Sequence, residues 1–198
     1  DVETLALLDM ILDNATAGLI NLNLTQTQVV RAAGSSPLAS NDYGAQYLWG
    51  VPKEGQTLAE VESLLLEQVE LVKAGQFEDW IIPAIVTDFK KSEKAQLESN
   101  TARAGIMRSA FTEHAAWAYA VGQLDRMGAR SKADVVRVAN EYFGDDMVVG
   151  YRLDGEHGLA QLDKPALDPL DIDTTRTSAF ARDILARPVA DIEPVYVT

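Results

Sequence analysis

The stretch from Thr16 to Val51 constrains the fold most, because a helical pattern there gives way to two adjacent strand patterns. Thr16-Ala17-Gly18-Leu19-Ile20 opens a short helix that closes with Leu22 and Leu24. Gln28-Val29-Val30-Arg31-Ala32-Ala33 then reads as a strand, and Gly44 to Val51 as its neighbour. In the second run Ala45, Tyr47, Trp49 and Val51 fall on one face at period two. Between the runs, Gly34 to Asp42 holds Gly, Ser, Pro, Asn and Asp, a composition that predicts a long hairpin loop.

Helical spacing dominates the rest. Leu5, Leu8 and Leu12 place an amphipathic helix over Glu3 to Asp13. Thr57 with Glu60 forms a capping box, opening a helix that carries Val61, Leu64, Leu65, Val69 and Val72 inward and ends near Gly75. A second helix starts at Phe77-Glu78-Asp79, with Ile81, Ile82, Ile85 and Phe89 buried and Pro83 confined to its first turn. After a break at Ser99-Asn100-Thr101, the stripe Ile106, Met107, Ala110, Phe111, His114, Trp117, Val121 and Leu124 predicts a third long helix. Ser131 and Asp134 form a second capping box, Gly144 stops the helix it opens, and Met147 to Arg152 reads as a strand. The expected architecture is α+β: a two-layer, mostly antiparallel sheet with long helices packed on one face.

From Gly155 the pattern changes. Pro165, Pro169, Pro188 and Pro194 punctuate a segment in which only Ser178 to Ala186 offers a short helix. This divides the chain into a folded unit over residues 1–155 and a connector or tail over 156–198. The opening Asp1-Val2-Glu3 lies inside a helical pattern without an initiator Met, and reads as the start of a piece of a longer protein.

A length of 198 residues supports one good core. The formal net charge of −13 argues against a nucleic-acid partner, which needs a basic footprint, and against docking on an anionic membrane. No run approaches the ~18 apolar residues of a membrane span. With no cysteine, disulfides and thiolate zinc sites are excluded.

Residue chemistry alone supplies no catalytic constellation. The two histidines, His114 and His157, each follow a glutamate, as in the tail of the zinc motif H-x-x-E-H, but Ala110 and Leu153 stand where its first histidine would be. His114 falls on an apolar stripe and reads as a packed core residue, whereas His157 reads as exposed. Asp168, Asp171 and Asp173 lack the glycine and terminal glutamate of a calcium loop. Asn14-Ala15-Thr16 and Asn23-Leu24-Thr25 match the glycosylation pattern, for which chance and helix capping are the simpler explanation. Trp49, Trp80 and Trp117 read as core packing.

Four pieces in order resemble one structural unit of the pitrilysin/insulinase family of zinc metallopeptidases. They are Ala17 to Leu24, the strand pair with Asp42-Tyr43-Gly44, the run from Thr57-Leu58-Ala59-Glu60 into Lys73-Ala74-Gly75-Gln76-Phe77-Glu78, and Ser131 to Phe143 before an apolar strand. The resemblance implies a mitochondrial-processing-peptidase-like metallohydrolase unit, and specifically the non-catalytic unit that follows the H-x-x-E-H unit. It implies no catalytic or metal-binding residue in this segment, with zinc held elsewhere in the parent polypeptide. It also implies that Val30, Arg31, Ala32, Ala33, Gly34 and Ser35 form a strand that holds the N-terminal end of a peptide substrate, pairing with it by β-addition. Expected partners are the other units of the polypeptide and the peptide. The expected location is the periplasm or cell envelope of a bacterium. A structural or processing-partner subunit without protease activity, and a stand-alone peptide-binding module, remain open alternatives.

Overall fold

Helix α1 (Val2–Leu12) lies at the centre of the core, because its apolar residues recur on more than one side. Leu7, Leu8, Ile11 and Leu12 are essentially fully buried, and each such side chain contributes about 1.5–3 kcal/mol relative to exposure. In this computed structural model, residues 1–155, 158, 163–168 and 170–188 are described. The chain divides into two compact units, Asp1–Arg152 and Leu153–Thr198.

In the first unit, α1 is followed by a sharp turn in which Asn14 Oδ1 accepts the backbone N–H groups of Thr16, Ala17 and Gly18 at 3.0, 2.7 and 3.0 Å. This satisfies the free donors of the next helical segment, which ends in a π-helical turn over Asn21–Thr25. Strands β1 (Ala32–Ala39) and β2 (Gly44–Val51) follow as an antiparallel hairpin. Helices α2 (Leu58–Lys73), α3 (Ile81–Gln96), α4 (Asn100–Thr112), α5 (Trp117–Val121), α6 (Gln123–Gly128) and α7 (Lys132–Tyr142) complete it. α1 packs against β1, α2, α3, α6 and α7, and α2 packs against β2, so the helices cover one face of an α+β unit.

Both expected capping boxes form. The Thr57 N–H donates to Glu60 Oε2 at 2.7 Å while Thr57 Oγ1 accepts the Glu60 N–H, and Ser131 with Asp134 repeats the arrangement. Pro83 lies in the first turn of α3, as the sequence predicts, although that helix starts at Ile81 rather than at Phe77; Ser99 caps α4 where the sequence predicts a break.

Several expectations are corrected. Gln28 adopts a left-handed conformation (φ 54°), so the predicted strand begins at Ala32 rather than Gln28. The predicted loop from Gly34 is strand as far as Ala39, and the turn is only Ser40 to Tyr43, closed by a Ser40 N–H to Tyr43 carbonyl bond of 2.9 Å. The third long helix is broken into α4, α5 and α6: His114, also left-handed (φ 54°), separates α4 from α5, and Gly122 separates α5 from α6. His114 is exposed, not packed in the core. Trp49, Trp80 and Trp117 are each about half exposed. Met147 to Arg152 forms no strand, although the Tyr151 hydroxyl donates to Glu62 on α2.

In the second unit, α8 (Ala179–Ala186) forms as expected, with Ser178 Oγ accepting the Ala181 N–H at 3.0 Å. The predictions concerning His157, Pro169 and Pro194 lie outside the described residues.

Candidate functional site

The β1–β2 hairpin has two chemically different faces. Its register pairs Ala32 with Val51, Gly34 with Trp49, Ser36 with Tyr47 and Leu38 with Ala45, and directly paired residues share a face. The intervening pairs, Ala33 with Gly50, Ser35 with Leu48 and Pro37 with Gln46, share the other.

The second set faces the helices. A Cβ added at Gly50 would lie 2.4 Å from Val61 Cγ1 and 3.2 Å from Leu65 Cδ1, so glycine is what lets β2 sit on α2. The first set faces away from them. Leu38, Tyr47 and Trp49 are 51%, 58% and 49% exposed, forming an apolar shelf about two residues wide. The Trp49 indole lies over Gly34, where an added Cβ would be 2.8 Å from three of its ring atoms.

A polar clasp fixes the hairpin to the end of α1. Asp9 Oδ1 accepts from Ser35 Oγ and from Gln46 Nε2, both at 2.5 Å, and Gln46 Nε2 also reaches Ser35 Oγ at 2.6 Å. Asp13 Oδ2 accepts the Ser35 backbone N–H at 3.1 Å. The Ser40–Tyr43 bond sets the ladder so that even-numbered β1 residues bond toward β2. The Ser35 N–H therefore points to the opposite edge, where Asp13 occupies it. Pro37, the next outward position, has no N–H at all.

The six predicted site residues are consequently distributed over different surroundings. Val30 is buried in the core, Arg31 is exposed, and Ala32 and Gly34 belong to the outer face beneath and beside Trp49. Ala33 packs against the core, and Ser35 lies within the clasp. Sequence reasoning missed Asp9, Asp13 and Gln46. The signal was present, since an aspartate in the last turn of a helix (Asp9) and another at its C-cap (Asp13) oppose its dipole and are better satisfied by donors from elsewhere.

A second buried carboxylate serves the core. Burial alone would raise the Glu3 carboxyl, but the Arg126 Nε–H at 2.8 Å, its own backbone N–H and the Tyr119 hydroxyl at 3.1 Å together hold it below the ordinary glutamate value. The Arg126 guanidinium also stacks 3.6 Å from the Tyr119 ring centroid.

Among the described residues, no three His, Cys, Asp or Glu side chains converge as a metal site would require. Asp173 is engaged locally, its Oδ1 accepting the Thr175 N–H and hydroxyl at 2.9 and 2.6 Å. Among the described residues, no helix is long and apolar enough to cross a membrane.

No family model matches the sequence, and no curated protein matches it. A solved structure does, described as the crystal structure of a protease from Helicobacter pylori, with 19% identity and a TM-score of 0.66. The match covers 72% of this chain and 35% of that one. The fold is shared with part of a protease. The chain thus spans about a third of the length of the protein it resembles.

Proposed function

We propose that this chain is a non-catalytic, substrate-contacting unit of a larger endopeptidase of the pitrilysin/insulinase type, and that its outer sheet face holds an extended peptide. The observation that carries the reading is the exposed Leu38–Tyr47–Trp49 shelf, on a fold shared with part of a protease. Aromatic side chains fixed on strands present large contact area at little entropic cost, which suits them to hold apolar peptide side chains. Ala32 and Gly34 keep the floor of this shelf low. The chain's net charge of −13 favours basic or neutral peptides by long-range attraction. In this reading the zinc-dependent chemistry belongs to another unit of the polypeptide, and these residues contribute contact and enclosure.

The test is fluorescence polarisation of a labelled ten-residue peptide of alternating apolar and basic residues, with its integrity followed by chromatography. The expected result is saturable binding without cleavage, weakened about tenfold by Trp49→Ala and also by Tyr47→Ala. Absence of saturable binding would overturn the reading, as would hydrolysis by the purified chain alone.

A further inference from the structure

The two long edges of the hairpin differ in what they offer a further strand. Even-numbered β1 residues bond toward β2, so the odd-numbered ones carry their N–H groups to the outer edge. Just before β1, the Arg31 N–H turns inward to the Val51 carbonyl at 3.0 Å. Within β1, Asp13 holds the Ser35 N–H and Pro37 has none. The outward donors that remain, on Ala33 and Ala39, are separated by these two blocked positions.

The far edge of β2 carries none of these devices. Ala45, Tyr47, Trp49 and Val51 bond to β1, so Gly44, Gln46, Leu48 and Gly50 present N–H and C=O groups to that edge. Among the described residues no other strand pairs with it, and no side chain or turn hydrogen-bonds these groups. No residue of β2 is buried. Gly44 to Val51 contains no charged residue and no proline, the features by which exposed edges are usually closed, and Pro52 ends the run. An uncharged, unblocked edge of this length is a template for an extended chain.

We infer that the bound peptide pairs with this edge of β2 as an antiparallel strand, its backbone bonded to Gln46, Leu48 and Gly50. The inference rests on the proposed peptide contact at the shelf and states how the peptide is aligned there. Directly opposed residues of neighbouring strands share a face. Peptide residues opposite Tyr47 and Trp49 therefore stand on the outer face, with Cβ atoms about 5 Å from theirs. Tyr47 and Trp49 bond to β1, so the residues opposite them point their own N–H groups away from β2. The alternate residues, opposite Gln46, Leu48 and Gly50, make the backbone bonds and turn their side chains to the helix-facing side. On that side α2 packs against β2, and its sequence holds Glu60, Glu62, Glu67 and Glu70 against one base, Lys73. An alternating peptide thus sets apolar side chains beside Tyr47 and Trp49 and basic ones toward the side of α2. Antiparallel pairing is the slightly more stable kind, and it puts the peptide's N-terminal end beside Gly50, where β1 begins.

The same labelled peptide is compared with two versions N-methylated on the backbone, one at two central basic residues and one at two central apolar residues. Hydrogen exchange at the Gln46, Leu48 and Gly50 amides is followed in the free chain and in the complex. Methylation at the basic residues is expected to weaken binding roughly tenfold or more, and methylation at the apolar residues to be tolerated. Exchange at the three amides should be fast in the free chain and slow about tenfold in the complex. Equal binding of all three peptides, with Trp49→Ala still weakening it, would overturn the edge pairing and leave the shelf reading standing. Slowed exchange and a loss on basic-residue methylation, with no effect of Trp49→Ala or Tyr47→Ala, would uphold the edge and overturn the shelf. A loss only on apolar-residue methylation would overturn the antiparallel alignment, since parallel pairing reverses which N–H groups face β2. Slow exchange already in the free chain would overturn the inference, because the edge would then be covered by the chain itself or by a second copy.

Discussion

The Asp13 carboxylate accepts the backbone N–H of Ser35 at 3.1 Å, on the edge of β1 that faces away from β2. With Pro37 supplying no donor two residues later, this edge lacks two consecutive outward N–H groups for another strand. Such devices are how proteins protect exposed edges against unwanted pairing. Asp13→Ala is therefore expected to lower stability by about 1 kcal/mol, the order of one lost hydrogen bond, and to increase self-association. Sedimentation velocity at rising concentration checks this; an unchanged monomer would mean that the Asp13 contact does not guard the edge.

The two glycines that face opposite sides of the hairpin should differ in their response to a methyl group. Gly50→Ala drives Cβ into Val61 and Leu65, inside the core, and should cost about 1–3 kcal/mol by overpacking. Gly34→Ala meets only the half-exposed Trp49 indole, which has solvent into which to move. That variant should be the milder one in thermal unfolding while shifting Trp49 emission to longer wavelength.

The helices were legible because their signals are local: Thr57 with Glu60, and Ser131 with Asp134, need only four residues to specify an N-terminus. The α+β class followed for the same reason. β1 was misplaced because Gly34 to Ala39 is small, polar and Pro-containing, and is held as strand by β2 and by Asp9 and Asp13, partners distant in sequence. The exposed shelf was equally hidden. Period two shows that Tyr47 and Trp49 share a face, but not that the helices pack on the other one. The apolar stripe from Ile106 to Leu124 ignores the left-handed break at His114, for which histidine gives little local warning.

Arg126 is the main partner of a buried carboxylate, so removing it should cost more than a surface ion pair. Arg126→Met leaves Glu3 with the Tyr119 hydroxyl and with Arg130 at 3.8 Å, and roughly 3 kcal/mol of stability should be lost. Adding Glu3→Gln to that variant should recover part of the loss, because the uncompensated charge is then gone. Urea unfolding of the two single variants and the double variant measures the coupling; strict additivity would contradict the buried-pair account.

Acidification should loosen both capped helices. The Thr57 backbone N–H, then its hydroxyl, hold the Glu60 carboxyl below its ordinary value, and the Ser131 hydroxyl, then its backbone N–H, do the same for Asp134. A carboxyl depressed in the folded state contributes stability that is full above its unfolded pKa and is lost as pH falls through the folded one. Circular dichroism should therefore show thermal stability falling below about pH 4, with a shallower fall in Glu60→Gln and Asp134→Asn. Identical pH profiles for wild type and both variants would sink this assignment.

The central claim is that the outer face of the hairpin is where a peptide lies. Its most direct test is NMR shift mapping of the full 198-residue chain during titration with the alternating apolar and basic peptide. The account predicts saturable shifts centred on the Trp49 indole, Ala32 to Leu38 and Ala45 to Val51, with the peptide recovered intact. Saturable shifts centred on Trp117 or Trp80 instead, or no saturation at all, would contradict it.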